Sequence, residues 1–188
     1  MTARKLGGRP VVVLGGCRTP FLRSGTGCAD AMAYELASMA LTGLLDRTGL
    51  DPGAVDRVIL GTVVAEPKTS NLAREAALSC GIPPSCPAFT VTSACASSNV
   101  AIQCGVEAIA CGAADVVIAG GAETLSDVPI RFGREVRKRL IQSQKARGVL
   151  DYVKLLQGLS LADPKHGTPA IEEFSPGLTM GQSADHLE

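Results

Sequence analysis

Residues 90–123 read TVTSACASSNVAIQCGVEAIACGAADVVIAGGAE. The stretch opens on an apolar strand, turns at a cysteine, continues as a helix of small residues, and ends in a second apolar strand closed by Gly-Gly. Cys95 stands where the first strand gives way to the helix. A thiol at the mouth of a helix N-terminus is a candidate nucleophile, because unpaired backbone N–H groups there favour the thiolate. A lone cysteine is more often a small buried apolar residue. Its place on a strand–turn–helix favours the nucleophile here. So does the helix that follows, which is too apolar and too small in its side chains for a surface helix. Around residues 96–111, Val100, Ala101, Cys104, Ala108, Ile109 and Cys111 are spread on all sides, and only Gln103 and Glu107 are strongly polar. This helix is expected to lie buried inside its domain.

Working towards the N-terminus, strand and helix signals alternate. Val11–Gly15, VVVLG, is a short apolar run followed by the turn-rich GCRTPFLRSGTG. From Asp30 the period becomes helical: Met32, Leu36, Met39, Leu44 and Leu45 suit one broad face, Asp30 is a candidate cap and Gly49 a stop. Arg57–Val64, RVILGTVV, reads as a strand. Ser70 or Asn71 can cap the helix LAREAALSC, and Gly81 ends it. Ala88–Val91 and Asp115–Ala119 read as further strands. Continuous apolar strands separated by helices predict an α/β layered fold with a mostly parallel sheet covered on both faces.

Length and composition agree with that frame. The chain has 188 residues, 46% hydrophobic, with equal numbers of acidic and basic side chains. Such a chain is globular rather than disordered, and zero net charge gives no argument for nucleic acid. No apolar run is long enough for a membrane span, and MTARKLGGRPVVVLGG does not read as a secretory signal. Seven cysteines without a CxxC pair, beside two histidines, do not suggest a zinc site. A reducing, cytoplasmic setting is the expectation.

The pattern changes after Glu123. Residues 131–147 carry seven Lys or Arg against one Glu, with Phe132, Val136 and Leu140 recurring every four residues. An amphipathic basic helix is expected there. It suits a solvated face, a phosphate-bearing ligand or an anionic membrane surface. Residues 158–179 are rich in Gly, Pro and Ser and read as irregular. MGQSADHLE, which follows, looks like a helix opening.

Several of these stretches together resemble the thiolase family of acyl-CoA acyltransferases: CRTPFLRSGT at 17–26, LGTVVAEPKTSNLAREAAL at 60–78, TVTSACASSNVA at 90–101, DVVIAGGAETLSDVPIRF at 115–132 and TMGQSAD at 179–185. SDVPIR points to the subgroup that forms part of fatty-acid oxidation complexes. The resemblance is to the N-terminal half of that family. It implies a five-layer α/β/α/β/α fold of two similar halves, with residues 1–123 as the N-terminal α/β domain lacking its final strand and 124–188 as the first part of an inserted loop domain. It places Cys95 on the acyl-accepting nucleophile and Met180 beside the pantetheine and acyl pocket, with Thr179 where many members have His. It implies cleavage of 3-ketoacyl-CoA by coenzyme A, which is a substrate, with no bound cofactor. The expected partners are acyl-CoA and CoA, a second copy of the chain, and a complex subunit, with peripheral membrane contact through the basic helix.

The resemblance also implies groups that this sequence does not contain: a Gly-His-Pro histidine, a second cysteine and an oxyanion Asn. His166 and His186 do not stand in a matching context. The 188 residues alone are therefore expected to be inactive. A non-catalytic thiolase-like module for CoA binding or assembly is the alternative. A ketoacyl synthase-like condensing enzyme would share the buried-helix cysteine, but SDVPIR and TMGQSAD speak against it.

Overall fold

The computed structural model describes residues 8–144, 148, 166–167 and 177–186. It divides into two compact units, Met1–Pro129 and Ile130–Glu188.

The first unit runs α1 (Ala33–Thr48), β1 (Arg57–Gly61), α2 (Leu72–Ser79), β2 (Ala88–Val91), α3 (Ser97–Ala110) and β3 (Val117–Gly121). The three strands are parallel in the order β2-β1-β3, with Val58 opposite both Ala88 and Ile118. From β1 to β2 the chain steps one way; from β2 to β3 it returns across β1. Right-handed crossovers in opposite directions put α2 and α3 on opposite faces of the sheet. The pleat sorts side chains accordingly. Val58, Leu60 and Ile118 enter one core with α1 and α2, whereas Val117 and Ala119 meet Gly105 of α3 on the other face. Ile59 is fully buried, a gain of about 1.5–3 kcal/mol over an exposed side chain. This is the layered α/β arrangement that alternating apolar strands and helices predict.

Helix ends follow local chemistry. Asn71 caps α2 by accepting from the Arg74 N–H at 3.2 Å. The helix closes at Gly81, whose φ of 84° is left-handed. There the Ile82 N–H reaches Ala77 O and the Gly81 N–H reaches Leu78 O, the paired bonds of a glycine-terminated helix. α1 is capped two residues later than the sequence predicts, at Met32. Asp30 does not cap it; the Glu35 carboxylate instead accepts from the Met32 N–H at 2.8 Å.

Other expectations are corrected. VVVLG at 11–15 forms no strand, and Val12, Val13 and Leu14 are exposed. An apolar run becomes a strand only with a neighbour to complete its ladder, and among the described residues none pairs with it. β1 ends at Gly61 rather than Val64, because the Val63 and Val64 N–H groups turn to the Glu123 carboxylate. The buried stripe of α1 is Ala33, Ala37, Leu41 and Leu45, while Met39 is exposed. Small residues let α1 close on α2, and the larger Met side chain is displaced from that contact. α3 is not enclosed. Its Ser97, Ala101, Gly105 and Ala108 face is buried, but Ile102 remains 50% exposed. A single sheet covers only one side of a helix that is apolar on both.

In the second unit, β4 (Arg131–Phe132) pairs antiparallel with β5 (His166–Gly167). α4 (Arg134–Ser143) carries the basic sequence, with Leu140 and Ile141 exposed. The helix expected over 131–147 is thus shorter, begins after a two-residue strand, and its residues 145–147 lie outside the described ones. Most of 158–179 also lies outside them. α5 (Met180–Asp185) is opened by Thr179, whose hydroxyl accepts from the Gln182 N–H while the Gln182 side chain accepts from the Thr179 N–H. No helix among the described residues is long and apolar enough to cross a membrane.

Candidate active site

The carboxyl ends of parallel strands are where open α/β sheets leave a crevice. Here a cavity of about 560 Å³ opens at that edge, lined by Gly61 and Thr62 after β1, Cys95 after β2, and Gly121 and Glu123 after β3. A shallower depression of about 460 Å³ lies towards the other end of the strands, by Arg57, Phe89 and Glu107. Its cysteines, Cys104 and Cys111, stand within α3 and at its C-terminal end, not at a helix N-terminus.

The turn that presents Cys95 is strained and braced. Ala94 has φ of 45°, the one described non-glycine residue at positive φ. The left-handed conformation costs an alanine about 1–2 kcal/mol, and such outliers concentrate at functional sites. The bracing comes from Ser97, a buried residue at the start of α3. Its hydroxyl donates to Ala94 O at 2.6 Å and accepts from the Ser93 N–H at 2.8 Å. Thr92 adds a bond from its hydroxyl to Thr62 O at 2.8 Å. Cys95, two residues before the helix begins, is left exposed at the cavity wall.

Two carboxylates tie β1 to β3 at its two ends. Glu123 accepts from the Thr62 hydroxyl at 3.2 Å and from the Val63 and Val64 N–H groups at 2.7 and 3.1 Å. Asp56 accepts from the Asp115 and Val116 N–H groups at 2.7 and 2.9 Å. Those backbone bonds, Val116 foremost and then Asp115, hold the Asp56 carboxyl below the usual aspartate range. Over the cavity lies the loop 17–28. The Ser24 hydroxyl donates to Leu125 O at 2.9 Å, the Gly25 N–H donates to the Ser126 hydroxyl at 3.0 Å, and Arg47 donates to Gly16 O at 3.0 Å.

Among the described residues, the cavity lining offers an accessible thiol at Cys95 but no free proton acceptor for it. Among the described residues Cys95 Sγ has no hydrogen-bond partner. The cavity lining contains no histidine, and its one carboxylate, Glu123, is already engaged by three donors. Two of the other thiols are poorer rivals, because burial pushes the Cys80 and Cys86 thiols up; Cys17 and Cys28 share the cavity lining but do not stand between a strand and a helix N-terminus. Met180 belongs to the second unit, as the first residue of α5, and is 71% exposed. The structure therefore gives Cys95 a built setting and describes Met180 only on its own helix. The sequence does not mark the supporting roles of Ala94, Ser97 and Glu123 at this turn. The one available signal is Glu123, two residues after the Gly-Gly that ends β3.

Residues 11–187 match the family model described as "Thiolase, N-terminal domain". The chain is 49% identical over 179 residues to the mitochondrial trifunctional enzyme subunit beta of Homo sapiens, covering 95% of this chain and 38% of that protein. It is 46% identical over 179 residues to a probable 3-ketoacyl-CoA thiolase of Caenorhabditis elegans, covering 94% of this chain and 40% of that one. Its fold superposes with a TM-score of 0.73 on the crystal structure of the Bacillus anthracis acetyl-CoA acetyltransferase, at 27% identity, covering 97% of this chain and 42% of that one. The chain thus spans about two fifths of the length of these relatives. With the family model matched over nearly its whole length, it belongs to the thiolase family, through that family's N-terminal domain.

Proposed function

We propose that this chain is the nucleophile-bearing part of an acyl-CoA acyltransferase that cleaves 3-ketoacyl-CoA with coenzyme A in fatty-acid oxidation. Cys95 is its acyl acceptor. The Cys95 thiolate attacks the C3 ketone carbon and the C2–C3 bond breaks. The carbanion left at C2 takes up a proton and departs as acetyl-CoA. The thiolate of free CoA then attacks the acyl carbon on Cys95, forming the shortened acyl-CoA and returning the Cys95 thiolate. No metal or redox group is required by this sequence of bonds. Met180 is proposed to line the acyl and pantetheine path, as the family resemblance implies. A second copy of the chain and a complex subunit are the proposed partners.

The observation that carries this reading is the strained Ala94–Cys95 turn, braced by buried Ser97 and open to a cavity at the carboxyl ends of the strands. A turn shaped only for packing would not need to hold a thiol outward in a disfavoured conformation. Bromoacetyl-CoA tests it. The expected result is a thioether on Cys95, formed faster than with bromoacetamide and suppressed by free CoA. Labelling spread over Cys17, Cys28 and Cys111 with Cys95 spared would overturn it.

The alternative, a CoA-binding or assembly module without catalysis, is favoured by one observation: the lining of the cavity lacks a free base. It predicts CoA protection of Cys95 but no acyl transfer from a 3-ketoacyl-CoA, even when the other portion of a thiolase is supplied.

A further inference from the structure

Among the described residues, two arginines on the cavity wall have no counter-charge. Arg18 and Arg23 both line the Cys95 cavity from the loop 17–28. The Arg18 guanidinium donates to the adjacent Thr19 carbonyl at 3.2 Å and stands 5.2 Å from the centroid of the Phe21 ring. Neither Arg18 nor Arg23 forms an ion pair among the described residues, and Arg23 makes no side-chain hydrogen bond there. Against these two positive charges the lining has one negative charge, Glu123, turned to backbone donors of β1's end.

The loop that carries the arginines is fixed. Ser24, the neighbour of Arg23, is bonded to Leu125, and Gly25 to Ser126. The Arg23 carbonyl accepts from the Thr26 hydroxyl at 2.5 Å and from the Thr26 N–H at 3.2 Å. At the other end Arg47 holds Gly16, and the exposed Phe21 ring stands beside the Arg18 head. The backbone that carries the cations beside Cys95 is therefore anchored, so a ligand has only their side chains left to order. A guanidinium presents a planar fork of donors that matches phosphate oxygens.

We propose that Arg18 and Arg23 form an anion-selective rim of the Cys95 site, which receives a phosphate-bearing acyl donor on the side of the loop 17–28. The proposal rests on Cys95 being the acyl acceptor, and it assigns two binding residues to that site. The rim raises the local concentration of anions at Cys95 before any bond is made.

Two alkylating reagents of nearly equal size test it. Iodoacetate is anionic and iodoacetamide neutral, and their rates at Cys95, read by peptide mapping at low conversion, give a ratio from which thiol reactivity cancels. In the 188-residue chain at about 10 mM ionic strength, R18Q/R23Q should lower the iodoacetate-to-iodoacetamide ratio by about two- to fourfold. R18K/R23K should keep it, because charge and not shape sets the effect. In the unsubstituted chain the ratio should fall as salt rises to about 0.15 M, which decides the matter even if the glutamine variant fails to fold. A ratio unmoved by R18Q/R23Q, or a salt-insensitive ratio in the unsubstituted chain, overturns the rim while leaving Cys95 as nucleophile. A Cys95 that neither these reagents nor bromoacetyl-CoA can reach overturns both readings.

Discussion

Gly61 and Ser97 meet backbone against backbone. A Cβ built on Gly61 would lie 2.6 Å from the Ser98 nitrogen and closer still to the Ser97 carbonyl carbon. The first turn of α3 therefore rests directly on the last residue of β1, and this contact sets how far Cys95 reaches over the strand ends. Gly121 makes the matching approach from β3, where a Cβ would strike the Ser98 hydroxyl. Gly61→Ala should push the start of α3 away, destabilise the chain by about 1–3 kcal/mol, and slow labelling of Cys95 by bromoacetyl-CoA. Gly120→Ala is the control, since its added Cβ would meet only Leu60 Cδ2, at 3.9 Å. Urea unfolding of the two variants checks the contrast; equal stabilities would remove the contact from the argument.

Glu123 holds the other side of the same edge. Its carboxylate takes two backbone N–H groups and one hydroxyl from residues 62–64. Because the residue is exposed, water replaces part of what is lost on substitution. Glu123→Ala should cost about 1 kcal/mol, and it should increase hydrogen exchange at the Val63 and Val64 amides. Unchanged exchange there would show that the clamp does not order the cavity wall.

How far these features were legible in the sequence depends on their range. β1, β2, β3 and α2 announce themselves locally, through continuous apolar runs and capping residues such as Asn71. VVVLG has the same local signal as β1, yet forms no strand, because pairing is a property of the neighbour. The α1 face was misread for a related reason. Large apolar residues mark a helix as amphipathic, but the tight contact with α2 selects Ala33 and Ala37 over Met39. Cys95 was legible as a thiol between strand and helix. Its supports were not: Ser97 braces a turn whose strain no propensity shows, and Glu123 and the loop 17–28 reach the site across about 60 to 100 positions of sequence.

Acid should act on the opposite end of the β1–β3 pair. The Val116 and Asp115 amides, in that order, lower the Asp56 pKa from its ordinary 3.8. A carboxyl depressed in the folded state stabilises the fold above the unfolded value and loses that contribution as pH falls through the folded one. Stability should therefore decline below about pH 4. Asp56→Asn should be less stable at neutral pH and show a flatter acid limb. Parallel acid limbs for the two proteins, followed by circular dichroism, would assign the acid sensitivity to other groups.

The family resemblance implies dimerisation through the strand preceding the nucleophile, which is β2 at the sheet's edge. The register decides which substitution tests this. Val58 N–H bonds to Pro87 O and Thr62 N–H to Val91 O, so residues 87, 89 and 91 face β1, while Ala88 and Thr90 direct their N–H groups outward. Phe89→Pro would break the ladder to β1 and damage the monomer. Ala88→Pro removes an outward donor and leaves that ladder intact. It should shift the oligomer towards monomer in light scattering with its circular dichroism retained. A dimer of unchanged strength would exclude pairing at this edge.

Turnover is the severest test. The 188-residue polypeptide by itself should not cleave 3-ketoacyl-CoA at a useful rate, even where Cys95 is open to alkylating reagents. Attack on the ketone needs a thiolate delivered at the moment of reaction, and a positioned base contributes about 10² to 10⁴ in rate. The lining of the cavity contains no histidine, and Glu123 is occupied by three donors. His186 lies in the second unit at the end of α5, in a context that matches no catalytic motif of the family. The resemblance also implies an oxyanion Asn that these 188 residues do not contain, and losing one such donor costs about 10² to 10³ in rate. These losses fall on the same step and need not multiply. Supplying the remaining portion of a thiolase, with its Gly-His-Pro histidine and second cysteine, in cis or as a second chain should restore thiolysis, and Cys95→Ala should abolish it again. The measurement is release of acetyl-CoA by a preparation whose intact mass confirms 188 residues. Rapid release by that material alone would mean that a base outside the cavity lining reaches Cys95, and would make His166 and His186 catalytic candidates after all.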